Sequence, residues 1–246
     1  MNRAKFFDAI RPMFPKGLTQ TQVDVINGIL DGMAGHSVAH VGYILATAYG
    51  EANLTPTREN MNYSAARIKQ VWPSRPEAVR YAGKPKALAN EVYGGRLGNR
   101  PGTDDGWRFR GGGVDQLTGR ANYAKIGLEH NPERILHPDQ AVKSIIHGMT
   151  TGRYTGRKLS DYDRPNGFDF VAARAIVNGD VALNGRKYGG NAVLFRNALQ
   201  SAGWGSVSPK PVADSLKPAP VTKQEVVTGR AGFWAWLINL FMGFRK

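Results

Sequence analysis

Ser37-Val-Ala-His-Val-Gly-Tyr-Ile-Leu-Ala-Thr-Ala-Tyr-Gly-Glu51-Ala-Asn-Leu-Thr-Pro56 is the stretch whose reading decides the fold. Val38, Val41, Ile44, Leu45 and Ala48 fall on one stripe at helical spacing, Ser37 stands at the capping position, and Pro56 stops the run. The spacing predicts a helix that begins after Ser37 and delivers Glu51 to its C-terminal end. Immediately upstream, Val23, Ile26, Ile29, Leu30 and Met33 form a second stripe, opened by a Thr19/Gln22 capping box and closed by Gly35.

The same pattern continues outward. Ser64 caps a short helix bearing Ile68 and Val71 and ended by Pro73, and a further short helix runs from Lys86 to Tyr93. Between Gly94 and Gly119 glycines crowd together and residues alternate around Trp107 and Phe109, so loops and the single β element are expected there. Helical spacing returns at Ala141, Val142, Ile145, Ile146 and Met149, again from Phe168 to Val177, and last from Ala192 to Ala202. No internal repeat is visible.

The 246 residues are 41% hydrophobic, 21% charged and 10% aromatic, a globular composition that excludes collagen-like, wholly disordered and multi-span membrane classes. Without cysteine there is no disulfide framework, thiolate site or cysteine nucleophile. The net charge of +14 asks for an anionic partner, but the basic residues are scattered without an aromatic groove pattern, so nucleic acid is not expected. Asp8 and Arg11 interrupt what would have to be the apolar core of a signal peptide, and no Sec export is expected.

Beyond Trp204 the composition changes. Pro209, Pro211, Pro218 and Pro220 among scattered Lys and Ser mark residues 206–230 as an extended linker, leaving 1–205 as the folded domain. In the tail, 231–246, residues 231–244 are apolar around the whole helix circumference except at Asn239, with Trp234 and Trp236 ahead of Arg245 and Lys246. Those fourteen residues span roughly 21 Å, short of the ~30 Å hydrocarbon core of a bilayer. The tail reads either as an anchor at an anionic membrane surface or as a segment docked on the domain or a partner subunit.

The five histidines give no metal-ligand spacing, and neither a Gly-x-Ser-x-Gly elbow nor a nucleotide P-loop is present, so no metal or cofactor is expected. Gly111-Gly112-Gly113 lacks the helix start a phosphate cradle needs and reads as a tight strand turn. Carboxylates remain. Glu51 follows an apolar stripe that would desolvate it and raise its proton affinity. Glu59 lies about 12 Å away along an unbroken helix, but Pro56 forces a turn that folds it back. Inverting glycosidases place two carboxyls roughly 6.5–9.5 Å apart around a water.

Ile44-Leu-Ala-Thr-Ala-Tyr-Gly-Glu51, Arg58-Glu-Asn-Met-Asn-Tyr-Ser-Ala65, Val92-Tyr-Gly-Gly-Arg-Leu-Gly-Asn99, Asp105-Gly-Trp-Arg-Phe-Arg-Gly111, Gln116-Leu-Thr-Gly-Arg-Ala-Asn-Tyr123 and Ile176-Val-Asn-Gly179, in that order, resemble the glycoside hydrolase family 19 domain of chitinase-like phage endolysins. The resemblance covers roughly residues 5–204. It implies a mainly α (α+β), lysozyme-like, two-lobed helical domain with a small β element. It also implies inverting hydrolysis of a β-1,4 bond between N-acetylated sugars. It makes Glu51 the general acid, Glu59 the general base and Thr118 a holder of the nucleophilic water, with Gln116, Tyr123 and Asn178 at sugar-binding positions.

The chain departs from the family pattern at Gly50, where His is usual, at Gly112, where Arg is usual, and at Asp115, where the pattern is apolar. A buried Asp115 must find a partner or cost several kcal/mol, or else it faces the catalytic pair and perturbs it. Loss of Arg at 112 removes a cation that could orient a carboxylate. The expected substrate is peptidoglycan glycan strands, with chitin as the alternative, and a wall-binding or virion-associated protein with impaired catalysis as a third reading. An endolysin of this kind would await lysis in the host cytoplasm, act with a holin partner, and then work in the periplasm and cell wall.

Overall fold

A computed structural model describes residues 1–205; the expected linker, 206–230, and tail, 231–246, lie outside the described residues. The described chain is mainly helical with two small antiparallel sheets. It opens with α1 (Arg3–Ile10), whose first turn is capped by the Asn2 side chain accepting from the Lys5 N–H. Then comes α2 (Gln20–Gly32), with both halves of the Thr19/Gln22 capping box formed. Helix α3 (Val38–Ala52) is capped by Ser37 and buried on nearly every side from Val41 to Ala48.

Strand β1 (Thr57–Arg58) follows, then α4 (Ala65–Val71), α5 (Pro85–Tyr93) and the single turn α6 (Asp105–Arg108). Strand β2 (Gly112–Gly113) pairs antiparallel with β1, Thr57 opposite Gly113 and Arg58 opposite Gly112. After α7 (Arg120–Ala124) and α8 (Pro138–Thr151), β3 (Asp163–Arg164) and β4 (Gly167–Phe168) make a hairpin, and α9 (Val181–Ser201) closes the described chain.

Three sequence expectations need correction. The region around Trp107 is a helical turn rather than alternating strand, because the Asp105 carboxylate is held by Arg100 and Arg120 and the Phe109 N–H closes back on the Asp105 carbonyl. The β3–β4 hairpin is a second β element. It occupies the start of the Phe168–Val177 stripe, where only the 3-10 turn Ala172–Ile176 is helical. Phe168 and Phe170 pack edge to face at 5.0 Å instead of aligning on a helix. Finally, α9 begins eleven residues before Ala192. Its first half buries Gly185 and Gly189 against the Val171 and Phe170 carbonyls, a face made of glycine backbone that no apolar stripe announces.

Buried apolar side chains gather in one large cluster and two smaller ones. The large cluster is built by α1, α2, α3, α8 and α9; α3 and α9 approach so closely that a Cβ at Gly42 would lie 3.0 Å from the Ala192 carbonyl oxygen. Met61, Ile68, Val71, Trp72, Leu88, Val92 and Tyr93 form the second. Phe109, Leu117, Tyr123, Leu128 and Ile135 form the third. The chain crosses from the large cluster to the smaller ones between Glu51 and Glu59.

Candidate active site

The crossing is sharper than a proline turn. Asn53 and Leu54 are both left-handed, with φ of 50° and 55°. The Asn53 N–H donates to the Tyr49 carbonyl and the Leu54 N–H to the Ala48 carbonyl, ending α3 on itself. The Asn53 carbonyl is in turn held by the Gln22 side chain at 3.0 Å. The reversal assigned to Pro56 is therefore made two residues earlier, by consecutive left-handed residues of which Leu54 is wholly buried.

Glu51, on the last turn of α3, faces a buried cation. Its Oε1 accepts from Arg174 Nη1 at 2.6 Å and from the Tyr188 hydroxyl at 2.8 Å. Arg174 also grips Asp180 through Nε at 2.6 Å and Nη2 at 3.2 Å, and Asn184 donates to the same Asp180. Burial raises the Glu51 proton affinity, Arg174 and Tyr188 pull it down, and Asp180 adds to the rise; the net direction is up. One guanidinium thus serves two carboxyls, and protonation of Glu51 leaves the group neutral. Asn178, also fully buried, belongs here: its side-chain oxygen accepts from the Asp180 N–H, and its Nδ2 has no partner among the described residues.

Glu59 follows β1 and is held differently. The Tyr93 hydroxyl lies 2.9 and 2.8 Å from its two carboxylate oxygens, and the Gly111 N–H donates to Oε2 at 3.4 Å. Arg110 reaches the Glu59 main-chain carbonyl rather than its carboxylate, and its guanidinium stacks 3.4 Å from the centre of the Trp107 ring. Burial dominates, and the carboxyl is pushed up to about 7 against the opposing pull of Tyr93, Gly111 and Arg110.

Gln116 and Thr118 join this second corner. Gly112 and Leu117 exchange backbone hydrogen bonds at 3.1 and 2.8 Å, closing a turn in which Gln116 is left-handed with φ of 54°. A Cβ at Gly111 would touch both the Gln116 Oε1 and Glu59, so the two side chains border the same glycine. Gln116 donates to the Thr57 and Gly113 carbonyls, and the Thr118 hydroxyl to the Gln116 carbonyl. Tyr123 lies apart, fully buried behind the β1–β2 pair, its hydroxyl bonded to Arg58 and to the Arg110 carbonyl.

Two of the departures find partners or packing. Asp115 hydrogen-bonds neither Glu51 nor Glu59: its Oδ2 accepts from Ser144 at 2.6 Å, Tyr154 at 2.8 Å and Arg153 at 2.9 Å, while its buried Oδ1 has no partner among the described residues. At Gly112 there is no room for an arginine, since even a Cβ would come within 2.6–2.8 Å of Tyr123, Arg58 and Ile135. The cation there is Arg58, paired with Glu133 and bonded to the Arg110 and Pro132 carbonyls. Sequence reasoning missed Arg174, Asp180, Tyr188 and Tyr93. A buried arginine inside an otherwise apolar run, at Arg174, was the one available signal.

No family model matches the chain. Over 99 residues, covering 36% of this chain and 50% of the relative, it is 36% identical to a curated glycosyl hydrolase family 19 domain-containing protein of Haemophilus influenzae. That stretch is similar to a glycosyl hydrolase family 19 domain. The chain thus spans about half the length of this curated relative. Among the described residues no group of three or more His, Cys, Asp or Glu is placed to hold a metal ion, and no helix is long and apolar enough to cross a membrane.

Proposed function

We propose that the chain hydrolyses β-1,4 glycosidic bonds in peptidoglycan glycan strands, as an endolysin in host cell lysis. The observation that carries the reading is the pair of buried carboxyls on either side of one chain reversal, each with raised proton affinity and each held by its own donors. In the inverting mechanism Glu51 protonates the leaving oxygen while Glu59 takes a proton from a water attacking the opposite face of the sugar. Thr118 helps hold that water, and Gln116, Tyr123 and Asn178 belong to the sugar-binding surroundings, Tyr123 acting from behind through Arg58. The family 19 likeness supports glycan hydrolysis; absence of cysteine and the short Glu51–Glu59 interval favour peptidoglycan over chitin.

The ion pair of Asp115 with Arg153 and the close packing at Gly112 weigh against the impaired-catalysis reading, which retains the Gly50 departure as its motive. A holin would give the protein access from the host cytoplasm to the wall, and the 231–246 tail would add attachment to an anionic membrane. Mass spectrometry of products released from purified sacculi is the test. Muropeptides cut at a β-1,4 bond are expected. Intact sacculi alongside degraded chitin oligomers would transfer the activity to chitin, and no product from either would refute the hydrolase.

A further inference from the structure

We propose that Tyr188, admitted by the missing side chain at Gly50, is the positioning residue that leaves Oε2 of Glu51 as the oxygen that carries and delivers the proton. The inference rests on the reading of Glu51 as the general acid.

Gly50 precedes Glu51 on α3, and Tyr188 reaches it from α9. A Cβ at Gly50 would lie 2.4 Å from Tyr188 Cε1, 2.6 Å from Cζ and 2.9 Å from the hydroxyl oxygen. These are rigid ring atoms rather than the end of a flexible chain. The ring is buried and clamped from one face by the Arg174 guanidinium, 3.9 Å from its centre. Any side chain at position 50 therefore displaces the tyrosine. With glycine there, the hydroxyl donates to Glu51 Oε1 at 2.8 Å, the same atom that Arg174 Nη1 reaches at 2.6 Å.

Both hydrogen bonds that reach the carboxyl from described residues end on Oε1. Two donors on one oxygen concentrate negative charge there and fix the carboxyl plane. The proton then resides on Oε2, the oxygen without a donor among the described residues. Loss of either donor weakens that preference. Because Tyr188 stabilises the ionised form, it also restrains the upward pull of burial, easing proton release to a leaving group. The titratable and charged groups facing Glu51 are Tyr43 on α3, Arg174 before α9, Asp180 at its start and Tyr188 within it.

The experiment is a carbon-13 NMR titration of the glutamate side-chain carboxyls in the full-length protein, with the Glu51 resonance assigned by its loss in Glu51→Gln. In Tyr188→Phe, which keeps the ring against Arg174 and deletes one oxygen, the Glu51 midpoint should rise by about one pH unit. Gly50→Ala should move it in the same direction by expelling the ring. In a Tyr188→Ala background, where the space is vacated, Gly50→Ala should add nothing further. On sacculi, kcat of Tyr188→Phe should fall about tenfold with KM unchanged and the alkaline limb of its pH profile moved upward.

An unchanged Glu51 midpoint in Tyr188→Phe overturns the inference, as does a fall in melting temperature with no change in titration or pH profile. If the midpoint moves but wild-type protein leaves sacculi and chitin intact, the Tyr188 contact stands and the hydrolase reading is what fails.

Discussion

Glu51 and Glu59 stand eight residues apart and are buried in corners made of different materials. The Glu51 corner belongs to the large helical core and is ionic: Arg174 shared with Asp180, braced by Tyr188 and Asn184. The Glu59 corner borders the two smaller clusters and is neutral: a tyrosine hydroxyl and a backbone N–H reach its carboxylate, while the nearby Arg110 is spent on main-chain carbonyls and the Trp107 ring. Burial raises proton affinity in both. Only in the first does a cation answer it at hydrogen-bond distance. The proton affinities of the two carboxyls can thus be tuned separately, because they share no hydrogen-bond partner among the described residues.

The largest expected effect is on rate. Glu51→Gln and Glu59→Gln should each lower glycan hydrolysis by about 10²–10⁴ while the circular dichroism spectrum stays that of wild type. Retention of full activity by either variant would remove its corner from the chemistry. Next in size is Arg174→Met, which strands Asp180 and Glu51 together in the core. A loss of about 3–5 kcal/mol in urea unfolding is expected, and a loss below 1 kcal/mol would mean the ionic corner is not a cooperative unit.

The neutral corner makes a prediction of opposite sign. A Glu59 carboxyl lifted from its usual 4.5 to about 7 keeps its proton longer in the folded than in the unfolded chain. Between those values the folded state binds more protons, so wild-type stability falls as pH rises through the window, by roughly 3 kcal/mol in all. Glu59→Gln should match wild type at pH 4 and exceed it by that margin at pH 8. A difference independent of pH would contradict the burial argument. Smallest is Tyr93→Phe, expected to cost about 1–2 kcal/mol and to push the Glu59 titration higher, since the lost hydroxyl favours the ionised form.

What the sequence revealed of this arrangement was local. Thr19 with Gln22, Ser37 and Ser64 are capping signals confined to a single turn, and each forms as read. The α3 stripe is equally local, and it places Glu51 on the last turn. The ionic corner depends on chain separation that no spacing encodes: Arg174 lies 123 residues beyond Glu51, and Tyr188 lies 137. Arg174 was hidden in a run read as a helical stripe, and Tyr188 in a stretch whose packing surface is glycine. Asp115 looked anomalous because Ser144, Arg153 and Tyr154 are 29 to 39 residues away. The Glu51–Glu59 pairing was suggestive from the reversal, while the roles of the two came from family resemblance.

The two corners together claim that one carboxyl gives a proton on one side of the sugar while the other activates water on the opposite side. Proton NMR of the reducing end during the first turnovers, before mutarotation, tests this most directly. Single displacement at a β-1,4 bond yields the α anomer first. If the β anomer appears first, configuration is retained, and the single-displacement roles given to Glu51 and Glu59 are contradicted.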